Sequence, residues 1–211
     1  PATARLGWGL VANLGLFIAC VVVGLALFSA LIYAPALALI GRMTPARFFG
    51  GTTGAASVAF ATTSTAAAIP VSLEEAGRLG VPHPTAELLV PLGASLFRPG
   101  SALYQGAAIV FLAHLYGVEL GMAGYAAALF ATLVVSLTVA PVPSASVMTL
   151  APALATLGVP SAGLGLLLGI DRIPDMFRSA VNVWGQIAVA VLVGRKSFDP
   201  PAPSALGEDA L

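Results

Sequence analysis

Charged side chains make up only 9% of the 211 residues, where a soluble domain carries roughly a quarter. With 58% apolar residues and a mean hydropathy of +0.97, the chain cannot cover itself with polar surface. That excludes an ordinary soluble domain and leaves an integral membrane protein. Nine basic residues balance nine acidic ones, so the basic face of a nucleic-acid binder is missing too. The single cysteine, Cys20, excludes an intrachain disulfide framework and a thiolate metal cage. His83 and His114 stand alone, no nucleophile–base pair is visible, and an enzyme is not expected. The chain begins at Pro1 with neither a methionine nor a signal-peptide pattern, so a fragment or processed form is expected.

What is present is long uncharged sequence. Leu6 to Gly41 runs for 36 residues without a charge, where about 20 apolar residues suffice to cross a bilayer. Phe48 to Leu73 is uncharged but rich in Gly, Ala, Ser and Thr. A third stretch, Leu88 to Val118, is interrupted by Phe97-Arg98-Pro99-Gly100. Leu120 to Ile170 holds 51 uncharged residues. As one straight helix it would reach about 76 Å, so it must turn, and the prolines of Ala140-Pro141-Val142-Pro143-Ser144 mark the place. The last span, Ile170 to Val193, ends at Gly194-Arg195-Lys196, and a polar tail expected to be disordered follows. With the first span running inward, Arg42, Arg47, Arg78, Arg195 and Lys196 are cytoplasmic and only Arg5 is outside. That arrangement requires segments 48–73 and 120–170 each to enter and leave on one side. Charge placement therefore favours re-entrant hairpins over paired crossings.

The last span carries most of the buried chemistry. At 100° per residue, Asp171, Asp175, Arg178, Asn182 and Gln186 fall within a stripe about 80° wide. An ionisable group at the centre of a membrane helix costs about 2.5–3.5 kcal/mol on insertion scales, so the stripe should face protein or a substrate path. Two readings stay open: Asp175 and Arg178 neutralise each other within a bundle, or they receive an ammonium and a carboxylate of a substrate. Thr62-Thr63-Ser64-Thr65 likewise reads as small-residue packing or as non-helical backbone lining a site. Three interrupted segments together favour a transporter core.

These segments resemble the dicarboxylate/amino acid:cation symporter family, which includes glutamate and aspartate transporters. GIDRIPDMFRSAVNVWGQ is similar to the family's G-I-D-x-I-L-D-M-x-R-T-x-x-N-V-x-G-D. PLGASLFRPGSALYQG resembles P-L-G-A-T-I-N-M-D-G-T-A-L-Y-Q-G, and TTSTAAAIPVS resembles the serine-rich tip of the first hairpin. SLTVAPVPSASVMTLAPAL is a looser match to the second tip. The resemblance runs almost to Gly194 and covers the C-terminal half of a family member.

The resemblance implies an all-α membrane protein whose transmembrane helices flank two re-entrant helical hairpins. The segments would be 1–47 (sixth span), 48–85 (first hairpin), 86–118 (interrupted seventh span), 119–165 (second hairpin), 166–196 (eighth span) and the tail 197–211. It implies a multi-pass protein of the cell inner (plasma) membrane with a cytoplasmic C-terminus, homotrimeric as the full-length parent. The partners are a small acidic substrate and the lipid bilayer, with no nucleic acid. Asp175 would hold a substrate ammonium, Arg178 a side-chain carboxylate and Asn182 a main-chain carboxylate. Ser64, Thr65 and Val142 would contribute at the hairpin tips, and Ser101 and Ser179 would line the pocket.

The departures concern the cation. Phe97, Arg98 and Pro99 stand where the family has Asn-Met-Asp, and Gln186 replaces an aspartate. Two carboxylates are lost, and a hard cation is held by oxygen ligands. Gly93, Ser95, Asn182 and Asp171 remain as cation candidates. No cofactor is implied, and no metal beyond Na+; the coupling ion is Na+ or H+. At the second tip, Thr138, Pro141, Ser144 and Ser146 replace glycines and should stiffen it. The expected function is symport of acidic amino acids or C4-dicarboxylates with sodium coupling altered or lost. The alternative is a non-transporting or channel-like relative that keeps a binding remnant.

Overall fold

A computed structural model describes residues 2–194, with side chains from residue 7 onward. The tail 197–211 and residues 195–196 lie outside the described residues. Every regular element among the described residues is a helix.

The first helix, α1 (Ala2–Phe28), continues through a π-helical turn, Ser29–Tyr33, into α2 (Ala34–Leu39). The turn has a local cause. Pro35 has no N–H to offer the preceding turn, and one residue earlier the Ala34 N–H bonds Ser29, five residues back. Gly7–Leu39 forms a continuous helical run of 33 residues, and the most apolar 18 of them have mean hydropathy 2.7 with only 22% buried. α12 (Arg172–Gly194) is the second helix long and apolar enough to span, and its most apolar 18 residues have mean hydropathy 1.4 with 67% buried. The contrast follows from bilayer physics. A helix apolar all round meets lipid with Leu16, Leu31 and Leu39, while a helix with a polar stripe is wrapped by others.

α12 is surrounded by α1, α4 (Thr53–Thr62), α6 (His83–Leu96) and α7 (Pro99–Leu115). A short α3 (Pro45–Gly51) precedes α4. α4 and α5 (Ile69–Arg78) form a pair joined by residues 63–68. Glu75 of α5 ties the pair together: its carboxylate accepts the Gly54 and Ala55 N–H groups at 2.9 and 3.0 Å. These are orphan donors of the first turn of α4, where the helix dipole also favours an anion. A Cβ on Gly54 would lie 2.6 Å from Glu75 Oε1, so a methyl there would push the carboxylate off its two donors.

Phe97 and Arg98 separate α6 from α7, and Pro99 opens α7 where its missing N–H costs nothing. α8 (Gly121–Ser136) leads to the turn 137–144. The returning arm is broken into α9 (Ala145–Met148) and α10 (Ala151–Thr156). α11 (Gly163–Ile170) then meets α12 at Asp171, three residues before Pro174.

Candidate functional site

The polar stripe of α12 faces inward along its whole length. Asp171, Asp175, Arg178, Ser179, Asn182 and Gln186 are all buried. Arg178, 1% exposed, spans two carboxylates: Nη1 and Nη2 donate to Asp171 at 3.2 and 3.4 Å, and Nη2 donates to Asp175 at 2.7 Å. The Tyr104 ring of α7 lies under the guanidinium, 4.2 Å from its carbon, an arrangement that suits a desolvated cation. Ser179 donates a long 3.5 Å bond to Asp175.

Two turns converge on this cluster. The Ser144 N–H donates to the second oxygen of Asp175 at 2.8 Å, so the 137–144 turn caps the carboxylate. The Ser64 hydroxyl donates to the Pro141 carbonyl at 3.0 Å and joins the first turn to the second. Each turn holds a non-glycine residue in the left-handed region, Thr63 at φ 54° and Ser144 at φ 55°. Arg172 braces the first turn by donating to Thr63 Oγ1 and to the Ala61 carbonyl. Asn182 is held by α7: its Oδ1 accepts the Gly100 N–H at 2.9 Å, and its Nδ2 donates to Ser101 at 3.0 Å. A Cβ on Gly100 would lie 2.9 Å from the Arg178 carbonyl, which explains the glycine. Farther along, Gln186 donates to Ser72 at 3.2 Å and packs against Gly93.

Asp171, Asp175, Arg178, Ser179, Asn182, Ser101, Ser64 and Thr65 thus lie on the α12 stripe, at the start of α7 and at the first turn. Val142 is exposed on the second turn and Ser95 is exposed on α6, so neither side chain joins the buried cluster. Asp171, a cation candidate by sequence, also serves as the bidentate partner of Arg178. Sequence reasoning missed Tyr104 and the Glu75 cap. The signal for Tyr104 lay in its place within SALYQG, three residues after Ser101. His83 pairs with Glu87 on the surface, and His114 bonds the Val110 carbonyl of its own helix.

Helices that bury an ionised stripe and expose leucine belong to a membrane protein, and comparison with known proteins supplies the class. Residues 2–196 match the model of the sodium:dicarboxylate symporter family. The chain belongs to that family, which comprises symporters and no enzymes. It is 32% identical over 192 residues to a proton/sodium-glutamate symport protein of Bacillus subtilis (strain 168), covering 91% of this chain and 44% of that protein. It is 38% identical over 136 residues to a proton/glutamate-aspartate symporter of Escherichia coli (strain K12), covering 64% and 31%. Excitatory amino acid transporter 3 of Mus musculus is 31% identical over 179 residues, covering 84% and 34%. The chain spans less than half the length of these curated relatives.

Proposed function

We propose that this chain forms the moving core of a secondary active transporter for acidic amino acids or C4-dicarboxylates, with sodium coupling altered or lost. The observation that carries the reading is the enclosure of Arg178. A buried guanidinium sits between two carboxylates while two mutually bonded turns close over them. In this reading Arg178 exchanges one of its acid partners for a substrate carboxylate, which bidentate geometry suits. Asp175 receives the ammonium of an amino-acid substrate. Asn182 faces the main-chain carboxylate beside Ser64 and Thr65, Ser101 and Ser179 line the pocket, and Val142 contributes backbone.

The α4–α5 pair and the α8–α10 segment are re-entrant hairpins entering from opposite sides, with the C-terminus cytoplasmic. Opening the second one breaks the Ser144–Asp175 and Ser64–Pro141 bonds and admits substrate. The names of the relatives include both proton and sodium coupling. Here Pro99 and Gln186 bring no charge, Asp171 is engaged by Arg178, and both ends of the Asn182 amide are bonded. These engagements favour the proton as coupling ion over a site built from Gly93, Ser95, Asn182 and Asp171. The full-length parent is a homotrimer.

The test is uptake of labelled aspartate and succinate into proteoliposomes containing the full-length protein, with sodium and proton gradients imposed separately. Uptake should follow the inward proton gradient more than sodium. No accumulation of either substrate under any gradient would instead support a non-transporting relative.

A further inference from the structure

Arg98 is the second buried arginine among the described residues, 6% exposed, between α6 and α7. Among the described residues it has no carboxylate within ion-pair distance. Its hydrogen bonds are two contacts from Nη1 at 3.5 Å, to Thr65 Oγ1 and to the Ala94 carbonyl, and its buried Nε bonds nothing. A guanidinium carries five donors, so this one is poorly satisfied for a buried charge. Its place is informative. Arg98 touches the first turn through Thr65, and Gly100 and Ser101 beside it hold Asn182. It lies within electrostatic reach of Arg178 and Asp175. It is also the one charged residue lining a recess of about 570 Å³ between α7 and α8.

Charge balance gives this position a function. Asp171 and Asp175 face a single arginine, so the cluster around Arg178 has one negative charge in excess. An arriving anion would be repelled unless a cation came with it.

We infer that Arg98 is a second anion-binding arginine of this site, tethered to the chain, taking a substrate carboxylate at the first turn in place of a bound sodium ion. The inference rests on the substrate site proposed above. It names a specificity-determining residue there and explains how an acidic substrate binds after two cation-binding carboxylates have gone. Thr65 and the start of α7 position the guanidinium, and its unused donors await a carboxylate.

The test measures aspartate and succinate affinity of the full-length protein by calorimetry in sodium-free buffer. Wild type should bind with the same affinity whether sodium or N-methylglucamine is the cation. Arg98→Ala should bind more than about tenfold more weakly, as for other charged partners truncated on one side. Millimolar guanidinium should restore much of the loss, because the recess leaves room for it, while urea, a neutral molecule of the same shape, should not. Undiminished affinity in Arg98→Ala, or equal rescue by urea, overturns the inference and leaves the substrate site standing. If Arg98→Ala does not fold, wild type decides: a tenfold or greater gain from sodium overturns the inference. Wild type that binds neither substrate overturns this inference and the proposed function together.

Discussion

Ser64 and Pro141 are 77 residues apart in the chain, yet the Ser64 hydroxyl donates a 3.0 Å hydrogen bond to the Pro141 carbonyl. It is a side-chain link between the two turns above Arg178, and Ser144 continues it to Asp175. A net hydrogen bond contributes about 0.5–1.5 kcal/mol, so Ser64→Ala should weaken substrate binding roughly two- to tenfold. The change should fall mainly on release if, as proposed, the second turn opens to admit substrate. Stopped-flow dissociation measures it; an altered association rate with unchanged release would contradict the latch.

The left-handed residues at the turns give a prediction of opposite sign. A non-glycine residue there costs about 1–2 kcal/mol, while glycine loses about 0.4–1 kcal/mol through the freer unfolded chain. Ser144→Gly keeps the N–H that Asp175 uses and relieves φ 55°, so it should stabilise the protein by about 1 kcal/mol. Thermal unfolding in detergent reads this, and a lower midpoint for Ser144→Gly would refute the strain. Thr63→Gly should not benefit equally, because its hydroxyl accepts from Arg172.

Arg178 and Asp171 should behave as one unit. Breaking a buried pair from one side costs about 3–5 kcal/mol, because the remaining charge is left without its partner. Arg178→Thr should weaken acidic-substrate binding more than tenfold and Asp171→Asn should destabilise the fold. The double variant should be less destabilised than the two losses added, by about 0.5–3 kcal/mol. A double-mutant cycle on thermal stability gives that coupling, and strict additivity would mean the pair does not act together.

These residues also mark what was legible in the sequence. The membrane class followed from runs without charge, the all-helical architecture from the family resemblance, and the α12 stripe from residues recurring at helical spacing. The runs and the stripe are local properties of one segment. Periodicity shows which face a residue shares but not what another element brings to it. Tyr104 under Arg178, Ser64 against Pro141 and Glu75 on the start of α4 each join distant segments, so no single run announced them. The contact of Asp171 with Arg178 was hidden for a related reason. At seven residues from Arg178, Asp171 lies about two turns away, near the break between α11 and α12 at Pro174. A straight-helix projection puts the two on one stripe without revealing that they meet.

Glu75 gives a test confined to architecture. Its carboxylate accepts two backbone N–H groups, and Glu75→Gln leaves one oxygen for both. Loss of a helix cap costs about 0.5–2 kcal/mol, so thermal stability should fall by that order. Substrate affinity at a temperature where the variant stays folded should remain within about twofold. Gly54→Ala should be comparably damaging, because its methyl would meet Glu75 Oε1 at 2.6 Å. A stable Gly54→Ala variant would contradict this packing.

The last prediction tests the proposed loss of a cation site. Pro99 occupies the first position of α7, where an aspartate is favoured by the helix dipole, so Pro99→Asp should be accommodated. Gln186 is fully buried beside Gly93, and the shorter aspartate fits its space while giving up the bond to Ser72. Together the substitutions add one carboxylate in the dry interior at 186 and one half-buried at the recess at 99. Without a cation they should destabilise the protein, since unpaired buried charge costs several kcal/mol. With sodium bound that cost is offset, and a ligand present at a hundred times its dissociation constant stabilises by about 2.7 kcal/mol. The double variant should therefore be less stable than wild type in N-methylglucamine chloride and should regain stability as sodium replaces it at constant ionic strength. Wild type should be flat across the same series, and potassium should help the variant less than sodium. If wild type itself gains stability steeply with sodium, the loss of acidic residues at these positions has not removed the ion. The ligands would then have to be backbone carbonyls near Gly93 and Asn182, or come from sequence outside this chain.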